Sequence, residues 1–119
     1  MQSYRNLKVW QKAHAIVLSV YHLTAEFPPD EKYGLISQIR RSAASIPANI
    51  AEGSARGSDA DYARFLSMAL GSAAELDYHL LLARDLQLIE DHVYQAISGE
   101  LDSVGRMLNM FIQKLRSSH

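Results

Sequence analysis

The polar chemistry of this chain is concentrated between Leu35 and Gly57, in LISQIRRSAASIPANIAEGSARG. Gln38, Ser42, Ser45, Asn49, Glu52 and Arg56 recur there in steps of four, three, four, three and four. On a helix this spacing forms one stripe, about 100° round from a second stripe of Ile36, Ile39, Ala43, Ile46 and Ile50. Solvated helix faces are dominated by Lys and Glu. This face carries hydroxyls and amides, which suit partly buried, paired hydrogen bonds. The polar seam reads as a structural network that fixes helix or subunit register, or as a face for a ligand or nucleic acid.

The same stretch carries Arg40-Arg41, with Lys32, Arg56 and Arg64 as further cations for the fold to bring near. Guanidinium forks grip phosphates bidentately, which makes Arg40, Arg41 and Arg56 the candidate nucleic-acid-binding residues. Adjacent helix residues point about 100° apart, so Arg40 and Arg41 cannot make one shared contact. The competing expectation is ion pairing with Glu52, Asp59, Asp61 or a second subunit.

Other chemistries find little support. The histidines are His14, His22, His79, His92 and His119. Di-metal bundles use paired Glu-x-x-His motifs, and none occurs; Glu75 and His79 share a face but lack a second ligand pair. No phosphate-cradling glycine loop or Gly-x-Ser-x-Gly elbow appears. The absence of cysteine excludes a thiol nucleophile, disulfides and cysteine-ligated metals. The expectation is a protein without catalytic residues, metal or cofactor. Tyr4, Trp10, Tyr21, Tyr33, Tyr62, Tyr78 and Tyr94 offer rings for base stacking, but most occupy core-facing spacings.

Four helical segments must position these groups. The first runs from about Asn6 to Glu26, with Val9, Ala13, Ile16, Val20 and Leu23 inward and Trp10, Val17 and Tyr21 widening the stripe. Phe27-Pro28-Pro29-Asp30 stops it. The second runs from about Asp30, as N-cap, to Ala55. Pro47 inside it predicts a kink or a short break near Ser45–Pro47, and Gly53 and Gly57 close it. The third starts at a capping box, Ser58-Asp59-Ala60-Asp61. Its heptad seam is Tyr62, Leu66, Ala69, Ala73, Leu76, Leu80 and Ala83, and the small-residue patch Gly71–Ala74 predicts a close helix approach, within the chain or between subunits. The fourth runs from about Glu90 to Leu115 on Tyr94, Ile97, Leu101, Val104, Leu108, Phe111 and Leu115. Short links make antiparallel neighbours, so the expected fold is all-α: an antiparallel up-down-up-down four-helix bundle, one domain over residues 1–119, its second helix kinked near Pro47.

The 119 residues include 48% hydrophobic and 21% charged, with a net charge of −1. No strongly basic balance marks a nucleic-acid binder. The charge is uneven: residues 1–57 hold seven Lys/Arg against four Asp/Glu, and residues 58–119 hold five against nine. Helices of opposite sign packing together explain this, as does a basic face on the first half. MQSYRNLKVWQK lacks the apolar run of a signal peptide, and no stretch reaches the ~20 apolar residues of a membrane span. The expectation is a cytoplasmic protein with no membrane partner.

LKVWQKA, FPPDEKYGLISQIRRSAASIPANIAEG, RFLSMALGSAAELDYHL and RMLNMFIQKL together resemble the bacterial four-helix-bundle family of ribosomal-RNA intervening-sequence proteins, which is related to accessory proteins of diversity-generating retroelements. The resemblance implies a four-helix bundle and a ring-like homopentamer. For the retroelement branch it implies basic barrels that bind nucleic acid and a reverse transcriptase. It carries over Arg40, Arg41, Arg56, Asn49 and Glu52 as site candidates. The expected function is that of a homo-oligomeric helical protein binding RNA or DNA through a basic face. The alternative is a protein-interaction scaffold without a nucleic-acid role.

Overall fold

The computed structural model describes residues 3–117, the side chains of Lys32 and Tyr33 excepted; His119 and the Lys32 side chain, named above, lie outside it. A 3-10 turn at Tyr4–Asn6 leads into α1 (Lys8–Thr24). A 3-10 turn at Pro29–Glu31 and a π turn at Lys32–Ile36 then lead into α2 (Ser37–Ser54), α3 (Asp59–Asp85) and α4 (Asp91–Ser117). There is no strand among the described residues.

The helices form an antiparallel bundle of 48 × 22 × 20 Å. Side-chain pairs fix the antiparallel order: Ser45 meets Ser72 across α2 and α3, Tyr94 meets Asp77 across α3 and α4, and Lys12 meets Glu100 across α1 and α4. The α2–α3 interface is the most extensive and α1–α4 the least among adjacent pairs.

The isoleucine seam of α2 is buried as predicted, with Ile39, Ala43, Ile46 and Ile50 fully enclosed. The α3 seam is buried from Leu66 to Ala83, and Phe65 joins it. On α4 the seam drifts: Leu108 is followed inward by Ile112, while Phe111 and Leu115 pack at its edge. A straight helix turns 3.6 residues per turn, so a strict heptad slips round its face. On α1 the last buried position is Thr24 rather than Leu23.

One local expectation is corrected and two are narrowed. Asp30 does not cap α2. It lies in the 3-10 turn, and a π turn intervenes before the helix proper starts at Ser37. That wider turn brings consecutive residues Leu35 and Ile36 both into the core. Of the kink or short break expected at Pro47, the break does not occur: α2 runs on through the buried proline, which deprives the Ala43 carbonyl of its usual donor, as a proline kink does. The close helix approach within the chain is at Gly53, not Gly71. A Cβ on Gly53 would fall 2.8 Å from Phe65 Cβ and 2.9 Å from Tyr62 Cδ1, whereas Gly71 is exposed and meets no other helix of its own chain, which leaves the subunit contact as its alternative.

The capping expectation at α3 holds on one side. Ser58 Oγ accepts from the Asp61 N–H at 3.1 Å, but the Asp61 carboxylate turns to Arg64 and Arg56 instead. At its other end α3 closes with Gln87 at φ 66°. The Leu88 N–H reaches the Ala83 carbonyl and the Gln87 N–H reaches that of Arg84, a Schellman arrangement in which glycine is the usual residue.

Candidate functional site

The polar seam of α2 divides into a buried middle and two exposed ends. Ser42 is completely buried and donates back to the Gln38 carbonyl at 2.9 Å. Ser45 shares a 2.8 Å hydrogen bond with Ser72 of α3. Asn49 donates to both the carbonyl and the hydroxyl of Ser45, at 2.9 and 3.0 Å. In the middle of the seam Ser42 and Asn49 thus bond within α2, and Ser45 bonds across to α3. Gln38 and Glu52, at the ends, are exposed and hold arginines.

The three candidate arginines are each engaged within the chain, and on different neighbours. Arg40 turns to α1. Its Nε donates to Thr24 Oγ1 at 2.8 Å, its Nη2 donates to the Tyr21 carbonyl at 3.3 Å, and its guanidinium lies 4.5 Å from the Tyr21 ring centre. Arg40 thus braces the last turn of α1, adding a donor to a Tyr21 carbonyl that also accepts from the Ala25 N–H at 3.2 Å. Arg41 turns to α3 and pairs with Glu75 while donating to Gln38 Oε1. Arg56 pairs with Glu52 and Asp61 at the far end of α2. Arg56 and Arg64 both lie over the buried Phe65 ring, at 4.5 and 4.7 Å.

Glu75 joins Arg41 to His79, whose Nε2 lies 3.1 Å from Glu75 Oε2. The His79 hydrogen bond, reinforced by Arg41, holds the Glu75 carboxyl below its ordinary range. A histidine–carboxylate pair is half of a nucleophile system, but the other half is missing: His79 Nδ1 is buried without a hydrogen-bond partner. The cluster braces α2 against α3. No group of three or more metal-ligating side chains lies together among the described residues.

Sequence reasoning missed Thr24, Ser72 and Phe65. Thr24 sits seven residues after Val17, at a position the α1 pattern could have flagged. Core placement of the aromatic rings holds for Tyr94 and largely for Tyr62, but Tyr21 and Tyr78 are exposed.

The uneven charge becomes a division along the long axis. By the antiparallel order about the Ser45–Ser72 plane, residues 3–8, 45–72 and 104–117 lie toward one end. Those segments carry seven Lys/Arg against three Asp/Glu, and the remainder of the sequence five against ten. In the first half, Arg5, Lys8, Arg106, Lys114 and Arg116 form no ion pair among the described residues, whereas Arg56 and Arg64 are paired.

The surface of α1 is unusual in another way. From Val9 to Thr24 its one permanently charged residue is Lys12, which pairs with Glu100 at 3.6 Å. Trp10, His14, Val17 and Tyr21 form a second heptad seam beside the core seam. His14 stacks on Trp10, and Leu18 stands 51% exposed beside them. On the α4 side, Ala15, Ile16, Ser19, Ala96, Ile97 and Glu100 line a groove of about 320 Å³.

These features define a four-helix bundle with hydrogen bonds and ion pairs between its helices and unpaired cations on its surface. The chain belongs to the family described as 23S rRNA-intervening sequence protein, whose model matches residues 5–110. Its fold is similar to a crystal structure of a protein of unknown function from the S23 ribosomal protein family of Bacteroides thetaiotaomicron VPI-5482. That similarity has a TM-score of 0.78 and 27% identity, over 87% of this chain and 97% of the other. None of the curated proteins matches it significantly. No helix among the described residues is long and apolar enough to cross a membrane.

Proposed function

We propose that this protein is a non-catalytic, self-associating bundle, assembling as a homopentamer, that acts as an interaction scaffold. The observation that carries this is the outer face of α1. An exposed helix that needs only to be soluble carries charges on its free face. This one instead presents Leu18, Tyr21 and His14, the last stacked on a half-buried Trp10, beside a groove lined by Ala15, Ile16, Ala96 and Ile97. Large exposed apolar patches mark interaction surfaces. The mass of the protein in solution tests the reading. A species of about five chains, each 13.3 kDa, is expected by native mass spectrometry, with Leu18→Glu shifting it to smaller species. A wild-type monomer at tens of micromolar overturns it.

A second reading is contact with RNA or DNA through Arg40, Arg41 and Arg56. It is favoured by the exposure of two of them: the Arg41 and Arg56 side chains are 55% and 41% accessible, so their exposed ion pairs can be exchanged for phosphate. Arg40 is less suited, since leaving Thr24 would uncover the end of α1. Salt-dependent binding of labelled RNA and DNA tests this reading. No binding at low salt removes it.

A further inference from the structure

We propose that the phosphate-holding surface of this protein is the basic half of the bundle, formed by Arg5, Lys8, Arg106, Lys114 and Arg116, rather than the Arg40-Arg41 step. The inference rests on the nucleic-acid reading and relocates its binding surface. Every described Lys or Arg without a carboxylate partner, apart from the hydrogen-bonded Arg40, lies in this half. The three acids of the same half do not cancel them: Glu52 and Asp61 are already engaged by Arg56 and Arg64, and Asp59 has an interaction of its own. Unpaired cations bind phosphate without first giving up a partner, so their full attraction is available.

The cations come from separate segments that the antiparallel topology gathers. Arg5 precedes α1, Lys8 opens it, and the other three ride on the last four turns of α4. Arg106 and Lys114 are about 12 Å apart along the α4 axis, a span covering several phosphates of a strand. The opposite half carries an excess of acids, which repels a polyanion and directs its approach to one end. Phosphate of RNA or DNA is the recognised chemistry; the acidic half of a second copy is the competing occupant.

The test uses the full chain and labelled RNA and DNA oligonucleotides of one sequence, titrated by fluorescence anisotropy over a range of salt. Two double variants, Arg5→Gln with Lys8→Gln and Lys114→Gln with Arg116→Gln, are compared with Arg41→Gln and Arg56→Gln. Circular dichroism checks that each retains its helix content. Each basic-half variant is expected to weaken binding several-fold at low salt, and to flatten the log–log salt slope by about 0.7 for each phosphate of a single strand that the variant no longer neutralises. Arg41→Gln is expected to bind like wild type. Binding abolished only in the Arg41 and Arg56 variants overturns the inference and leaves the nucleic-acid reading standing. No binding of the wild type to either oligonucleotide overturns both. Head-to-tail association at low salt without oligonucleotide, abolished by the basic-half variants in the absence of any oligonucleotide binding, assigns the surface to a second copy and overturns the inference.

Discussion

Gly53 and Phe65 touch backbone to side chain across the α2–α3 interface, so closely that a Cβ on residue 53 would sit 2.8 Å from the Cβ of residue 65. Neither Cβ belongs to a flexible side-chain end, so the conflict can be relieved only by moving a helix. Gly53→Ala gains about 1 kcal/mol of helix propensity and loses about 1–3 kcal/mol to overpacking. The expected outcome of urea unfolding is a net loss of about 1 kcal/mol, with Gly71→Ala, at an exposed site facing open space, stabilising instead.

Ser45 and Ser72 hydrogen-bond across the same interface. A double-mutant cycle of Ser45→Ala and Ser72→Ala is expected to give a coupling of about 0.5–1.5 kcal/mol, since Ser45→Ala takes the Ser72 hydroxyl's partner in a partly buried place and Ser72→Ala leaves Ser45 Oγ with Asn49 alone. A coupling near zero would show that the two hydroxyls act independently.

Arg40 is expected to behave as a structural residue. Arg40→Ala removes a hydrogen bond to the buried Thr24 and a donor to the Tyr21 carbonyl, and is expected to cost about 1–2 kcal/mol of stability. Thermal unfolding should show the loss, while Arg41→Ala, on the exposed side of α2, changes stability less.

Glu75 supplies a pH dependence of defined sign. Its folded-state carboxyl titrates below the ordinary value of 4.5 because His79 and Arg41 favour the ionised form. The stabilisation is present above that ordinary value and is lost as pH falls through the lower folded value. Denaturant midpoints measured down the acid range should therefore decline less steeply for Glu75→Gln than for wild type. The effect is modest because the site is solvent-screened.

Gln87 takes the left-handed position that ends α3, at φ 66°. Gln87→Gly is expected to raise stability by about 1 kcal/mol, because glycine occupies that region without the steric cost of a Cβ. A shift in the thermal midpoint of several degrees checks it.

Helix number, order and nearly all of the core were legible in the sequence because the apolar residues of α2, α3 and α4 repeat at helical spacing over long stretches. Local propensity did not reveal the π turn before α2, since its purpose is tertiary: it lets Leu35 and Ile36 both reach the core. The close approach at Gly53 was not legible for a related reason. Nothing in the local sequence says whether a glycine lacks its side chain to admit a neighbour, as Gly53 does, or faces solvent, as Gly71 does. The polar seam was visible as a pattern, but not which of its bonds stay within α2, as those of Ser42 and Asn49 do, and which cross to α3, as that of Ser45 does. The arginines were visible too, but their partners were not. Arg40 and Arg41 are adjacent in sequence and serve different helices, and Thr24 and Glu75 are brought to them only by folding.

The division of charge about the Ser45–Ser72 plane makes each bundle a permanent electric dipole aligned with its long axis. Symmetry decides what an assembly does with it. Copies related by rotation about an axis parallel to the bundles add their moments, producing a ring with one positive rim and one negative rim. Copies related by a perpendicular two-fold cancel them. The moment of an assembled particle therefore reports whether its chains all run the same way.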